Sequence, residues 1–321
     1  MIVILTGATS FLGRAVRSEL EKRGHKVFAF RHSFEENGSN GVLLPETADT
    51  WIHFAWAGVG SKGRSDPSIQ AYNVNMSLSA LKKACELGCK SFIFAGSQAE
   101  YGNLMKKSAI LKTDSSGRKD EADGVGFKEG SLQTEDMLCD PVSEYGKAKL
   151  KFLREAQSFI RESSSDIAYI HMRIFSVYGP GDHESSLISS SVKSFLANKA
   201  MEFGPCTQDW NYLYIDDAAK AVASLMETEG AQGIYNVAGR DTRPLRDYIE
   251  ELFKLCAETA GMPLSRETAG NMLKFGMRGD NAEGAVSLRP DIRRITAETG
   301  WEPETDFRTG IKKTLEFYKS R

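Results

Sequence analysis

The stretch Ile2-Val3-Ile4-Leu5-Thr6-Gly7-Ala8-Thr9-Ser10-Phe11-Leu12-Gly13 decides how the rest of this chain is read. Its apolar run predicts a strand buried on both faces, and Gly7 permits the tight turn that follows. From Phe11 the apolar residues recur at helical spacing to residue 23, so the turn opens directly into an amphipathic helix. Gly13 lets that helix pack closely. The N–H groups at the helix N-terminus then face outward, where they suit a pyrophosphate. A glycine turn between a first strand and a first helix predicts a dinucleotide-binding unit.

Short apolar runs at 26–30, 51–55, 91–95 and 167–174 read as further buried strands, and 68–87 and 142–162 as helices between them. The predicted fold class is α/β: a Rossmann-type doubly wound parallel sheet with a smaller, mainly C-terminal α/β substrate domain. The expected division is residues 1–175 plus about 212–238 for the dinucleotide domain, and about 176–211 plus 239–321 for the substrate domain. Residues 103–130, rich in Lys, Asp, Gly and Ser, read as an exposed insertion.

The chain has 321 residues and is 41% apolar, enough for a full core. A formal charge of −2 offers no basic field for nucleic acid or anionic lipid. No run approaches a membrane helix or a signal-peptide core, and the five cysteines are scattered, so the cytoplasm is the expected compartment. No His/Cys/carboxylate cluster predicts a metal.

Dinucleotide choice is read at the end of the second strand, where an acidic residue would bond the ribose and repel a 2′-phosphate. Here the sequence is Phe30-Arg31-His32-Ser33, with Arg14 just after the glycine turn. Arginine suits a phosphate through charge-assisted paired bonds, so NADP(H) is favoured, with NAD(H) the alternative.

Tyr145-Gly146-Lys147-Ala148-Lys149 places a phenol and an ammonium four residues apart on one helical face. A phenol titrates near 10, so acid–base work at neutral pH needs a shift of about three units, which a fixed cation favours. Ser97 ends the strand Phe92-Ile93-Phe94-Ala95-Gly96, the end at which such sheets bind ligands, and its hydroxyl suits a substrate carbonyl. Ser97, Tyr145 and Lys149 are the predicted catalytic residues.

With these motifs in hand, the chain resembles the extended short-chain dehydrogenase/reductase family of sugar-nucleotide epimerases, dehydratases and reductases. Residues 6–13 resemble its TGxxGxxG, residues 52–55 its HxAA strand, and Asn73-Val74-Asn75 the start of its fourth helix. Residues 97–102 resemble its serine segment ending in YG, 145–149 its YxxxK and 173–180 its RxxNxYGP. Residues 212–217 and 300–303 resemble its later FxYVDD and GWxP. The resemblance implies a cofactor site of Gly7, Thr9, Ser10, Phe11, Leu12, Gly13, Arg14, Arg31, His32, Phe54, Ala55, Trp56, Asn73, Tyr145, Lys149 and Phe175. It implies substrate contacts from Gln98, Glu100, Ser176, His183, Trp210 and Arg278.

Ser10 replaces the middle glycine, Ser176 an asparagine, and Trp210-Asn211 the family's Arg-Asp, with Arg278 or Arg289 as replacement cations. The 4,6-dehydratases of the family carry Asp-Glu after the serine position, but Gln98-Ala99 cannot act as acid or base, which disfavours dehydration. No cysteine near Ser97 disfavours a 3,5-epimerase/reductase. A 4-ketoreductase of a nucleotide-linked (deoxy)sugar and a 4-epimerase using retained NAD remain, and the NADP preference favours the reductase. Residues 173–182 and 300–310 are similar to CDP-abequose and CDP-paratose synthases. A non-catalytic NADP-binding regulatory protein is the alternative of another class, though such proteins usually lose the tyrosine or lysine. The helices at 68–87 and 142–162 resemble those through which the family forms homodimers.

Overall fold

The computed structural model describes residues 1–30, 44–102, 131–279 and 286–320. Arg31, His32 and the 103–130 segment lie outside the described residues.

The first half alternates β1 (Ile2–Thr6), α1 (Phe11–Lys22), β2 (Lys26–Phe30), β3 (Thr50–His53), the short α2 (Ser61–Arg64), α3 (Pro67–Glu86), β4 (Ser91–Ser97), a 3-10 turn (Gln98–Glu100) and α4 (Glu144–Glu162). It continues with β5 (Ala168–Ile174), β6 (Ser176–Tyr178), α5 (Leu187–Leu196), β7 (Met201–Glu202), β8 (Asp209–Tyr214), α6 (Ile215–Glu227) and β9 (Gly233–Val237). The remainder is β10 (Thr242–Pro244), α7 (Leu245–Ala260), α8 (Arg266–Met272), β11 (Leu273–Lys274), α9 (Arg293–Thr299) and α10 (Phe307–Lys319).

A six-stranded parallel sheet runs in the order β2-β1-β3-β4-β5-β9. Successive side chains leave a strand on opposite faces, and both faces here are apolar. Val3 and Leu5 meet Val16 and Leu20 of α1 and Val222 of α6, while Ile4 meets Val74 and Leu81 of α3 and Phe152 of α4. Crossovers that place helices on both faces make the sheet doubly wound, as its alternating pattern predicts.

A second core surrounds a three-stranded sheet, β10-β8-β6. Tyr178, Tyr214, Val192, Phe195, Leu252 and Ile311 pack there, bringing α5, α7 and α10 together. The chain then returns: α6 packs on the main sheet and β9 forms its edge. α6 begins at Ile215 with Tyr214 at its cap, so Asp216 and Asp217 fall in its first turn. Asp217 is buried and accepts from the Thr305 amide (2.7 Å), and its carbonyl accepts from the Trp301 indole (3.1 Å), which ties the C-terminal segment to α6.

Candidate active site

The glycine turn is dictated by contact. Gly7 has φ +73°, and a Cβ there would lie 2.6 Å from the Phe54 carbonyl carbon. A Cβ on Gly13 would lie 2.1 Å from the Gly7 carbonyl oxygen, so Gly13 serves the turn itself as well as the helix. Ser10 caps α1, and its hydroxyl accepts from the Gly13 amide (3.0 Å). One amide of the anion-facing set is thereby already engaged by the residue that replaces the middle glycine. Phe11 and Leu12 pack their side chains against the second core, so what they bring to the turn is backbone. Thr9 is exposed, and its carbonyl accepts from Arg14 (2.7 Å). The other arm of Arg14 donates to the Gly181 carbonyl (3.0 Å). The guanidinium thus joins the turn to the 179–181 loop in this structure.

The segment after β3 is held from behind. Asn73 is fully buried; its Oδ1 accepts from the Ala57 amide (2.8 Å) and its Nδ2 donates to the Ala57 carbonyl (2.9 Å). An amide so committed shapes the 54–57 loop, which corrects its reading as a direct cofactor contact. Phe54 is buried and Ala55 half-buried. Trp56 donates its indole N–H to Gln70 (2.9 Å). The Phe175 ring is buried with Tyr101, Ala238 and Leu288.

The three predicted catalytic residues converge. Lys149 Nζ donates to the Ala95 carbonyl (2.6 Å), two residues before Ser97. Gly146 lies so close to the turn after Ser97 that a Cβ would sit 2.4 Å from the Ala99 carbonyl oxygen. Contacts on both sides of Ser97 therefore dock the first turns of α4, and Tyr145 adjoins Gly146 in that dock. The Ser97 Oγ accepts from the Ala99 amide (3.2 Å), which leaves its hydrogen to donate elsewhere. Lys149 Nζ lies 3.5 Å from the Trp56 ring centroid, and Trp56 meets Tyr145 edge-on at 6.1 Å. Burial pushes the lysine pKa well below its ordinary value; Glu100 opposes that shift and Arg64 adds to it.

Glu100 is not a substrate contact. It is fully buried beneath Ser97 and accepts from the Ser97 amide (2.7 Å), from His171 Nε2 (2.9 and 3.0 Å) and from Arg173 Nε (3.2 Å). Burial alone would raise its pKa, but His171, Arg173 and the amide outweigh it and hold the carboxyl below its ordinary value. Gly96 makes this approach possible, since a Cβ there would lie 2.3 Å from His171 Nε2 and 2.7 Å from the Glu100 oxygen. A signal was present in β5, where Tyr169, His171 and Arg173 alternate with Ile170 and Met172. Polar residues at period two inside a buried strand require a buried polar partner.

A cavity of about 490 Å³ opens beside this centre. Gln98, Ser176, Trp210 and Arg278 line it, as expected of substrate contacts. His183 does not: it is exposed, its amide bonded to the Asp182 carboxylate, and Asp182 is the residue that reaches the cavity. Arg289 is engaged in an ion pair with Asp209, which leaves Arg278 as the only Arg or Lys lining the cavity among the described residues. Sequence reasoning missed Glu202, Gln208 and Tyr212 on the walls. Asn211 is buried and clamps Gly239 through both its amide nitrogen and oxygen. Among the described residues no His/Cys/Asp/Glu group is arranged to hold a metal ion, and no helix is long and apolar enough to cross a membrane.

Residues 3–238 match the model of the NAD dependent epimerase/dehydratase family. The chain is similar to dTDP-6-deoxy-L-talose 4-dehydrogenase (NAD(+)) of Aggregatibacter actinomycetemcomitans, 24% identical over 78% of this chain and 89% of that one. It is also similar to CDP-abequose synthase of Salmonella muenchen, 21% identical over 98% and 96%. Among solved structures, RMD from Pseudomonas aeruginosa complexed with NADPH covers 100% of this chain and 99% of its own, with a TM-score of 0.75 at 22% identity. That likeness establishes a shared fold.

Proposed function

Because the chain belongs to the NAD dependent epimerase/dehydratase family and is an NAD(P)-dependent enzyme of the extended short-chain dehydrogenase/reductase type, we propose that it is an NADPH-dependent reductase of a nucleotide-linked 4-keto (deoxy)sugar. The observation that carries the reading is the convergence of Ser97, Tyr145 and Lys149 at the carboxyl end of β4, with Gln98-Ala99 in place of the carboxylates that dehydration needs. Similarity to CDP-abequose synthase over nearly the whole chain supports the same direction. The preference for the phosphorylated dinucleotide rests on Arg31, on Arg14, and on the absence of Asp or Glu in Phe30-Arg31-His32-Ser33 at the end of β2.

Reduced nicotinamide, when bound, supplies the hydride. Ser97 donates its hydroxyl hydrogen to the ketone oxygen and orients it, and Tyr145 gives that oxygen a proton as charge develops. Lys149 favours the phenolate left behind. The cavity walls, with Trp210 and Arg278, receive the sugar nucleotide. We also assign a homodimer formed through α3 and α4, and a cytoplasmic location.

The test is NADPH oxidation with a panel of CDP-, dTDP-, UDP- and GDP-linked 4-keto sugars. At least one is expected to turn over, and Tyr145→Phe is expected to lose about 10²–10⁴-fold in rate while still binding NADPH. A tightly held NAD with no NADPH consumption would overturn the reductase in favour of an epimerase.

A further inference from the structure

Arg64 belongs to none of the motifs, yet its guanidinium carbon lies 4.3 Å from the centroid of the Tyr145 ring. The placement is built by several contacts. Gly63 packs against Gly58 so tightly that a Cβ on Gly63 would sit 2.4 Å from the Gly58 Cα. The buried Gln70 donates to the Gly63 carbonyl (2.8 Å) while accepting from Trp56, whose ring meets Tyr145 edge-on. The Arg64 amide closes α2 on Gly60 (2.9 Å). One buried side chain therefore fixes both α2 and the indole against the same phenol.

We propose that Arg64 is a positioning residue for Tyr145: its guanidinium, held over the ring by α2, orients the phenol and stabilises its anionic form. The inference rests on the reading of Tyr145 as the acid–base group.

A cation over an aromatic face is attracted by the ring, and more strongly once the ring carries negative charge. Arginine suits this task because it stays charged throughout the working pH range, whereas a buried lysine readily loses its proton. Burial depresses the proton affinity of Lys149, and Arg64 adds to that depression. The two cations thus reach the phenol from different elements, Lys149 from its own helix and Arg64 from α2. The charged groups that meet the Tyr145 ring include Arg64 from α2 and Lys149 on its own helix, with Glu144 beside it in sequence. Glu144 is paired with Lys147 (2.7 Å), and Glu100, on the 3-10 turn, acts from behind Ser97 on Lys149.

The test is a pH titration of the Tyr145 phenol in the full chain, followed by NMR of ring-labelled tyrosine, with Tyr145→Phe assigning the resonance. Arg64→Gln is expected to raise the ionisation midpoint by about one unit, a tenfold change in the ionisation constant, and Arg64→Lys by less. An unmoved midpoint in Arg64→Gln would overturn the proposal. So would a resonance that stays protonated up to the alkaline unfolding limit of the parent protein. An equal move on Arg17→Gln, an exposed charge on α1, would reduce the effect to net charge and overturn it too. The titration needs no turnover, so it judges Arg64 separately from the reductase reading, which the Tyr145→Phe rate assay judges.

Discussion

Glu100 sits beneath Ser97 with His171 and Arg173 as its partners, and its burial gives it a role that its position in the motif does not reveal. Its carboxyl is held below the ordinary value, so the folded chain binds fewer protons there than the unfolded chain. The stability it contributes is present above the ordinary carboxyl range and is lost as pH falls through that range toward the lowered folded value. Glu100→Gln leaves Arg173 buried without its counter-charge, and we expect a loss of about 3–5 kcal/mol in urea unfolding at neutral pH. The same variant should flatten the acid limb of the stability profile. A steep acid limb retained in Glu100→Gln would place its origin in other carboxylates.

At the scale of elements, the turn and α1 give the sharpest expectation. Ser10 both caps the helix and occupies the Gly13 amide. Ser10→Ala should cost about 1 kcal/mol in thermal unfolding, and Ser10→Gly only a few tenths. Ser10→Gly also frees the Gly13 amide, so its NADPH affinity, read by fluorescence titration, should be no weaker than that of the parent. Strand positions and amphipathic helices were legible in their apolar pattern: β2 falls on residues 26–30 and α1 on 11–22, but β2 is the edge of the sheet and only half-buried, which its apolar run did not reveal. β3 stops at His53, since beyond it Asn73 bends the chain around Ala57. The strands of the second core, such as Ser176–Tyr178 and Thr242–Pro244, are too short for alternation to show. The proposed triplet was readable from the Tyr145–Lys149 spacing and the strand-end place of Ser97, whereas the burial of Glu100 and Asn73 depends on partners distant in sequence. Arg64 stands outside every motif, and its contact with Tyr145 exists only once α2 and α4 are brought together.

Across the molecule, the two cores divide the work. One holds the parallel sheet and the glycine turn; the other, around β8 and α7, walls the cavity. The chain crosses between them more than once: β8 pairs with β6 and β10, while the adjoining α6 and β9 belong to the main sheet. Trp301 and Thr305 then fasten the late segment to Asp217. Pairings so distant along the chain are slow to form, because loop closure precedes any gain from contact. After dilution from denaturant, burial of Trp51 in the main sheet should therefore be regained before catalytic rate, followed by tryptophan emission and by NADPH oxidation on the same sample. Asp217→Ala, which removes the side-chain acceptor of the Thr305 amide, should widen the interval between the two signals; unchanged intervals would mean that the late segment docks without that bond.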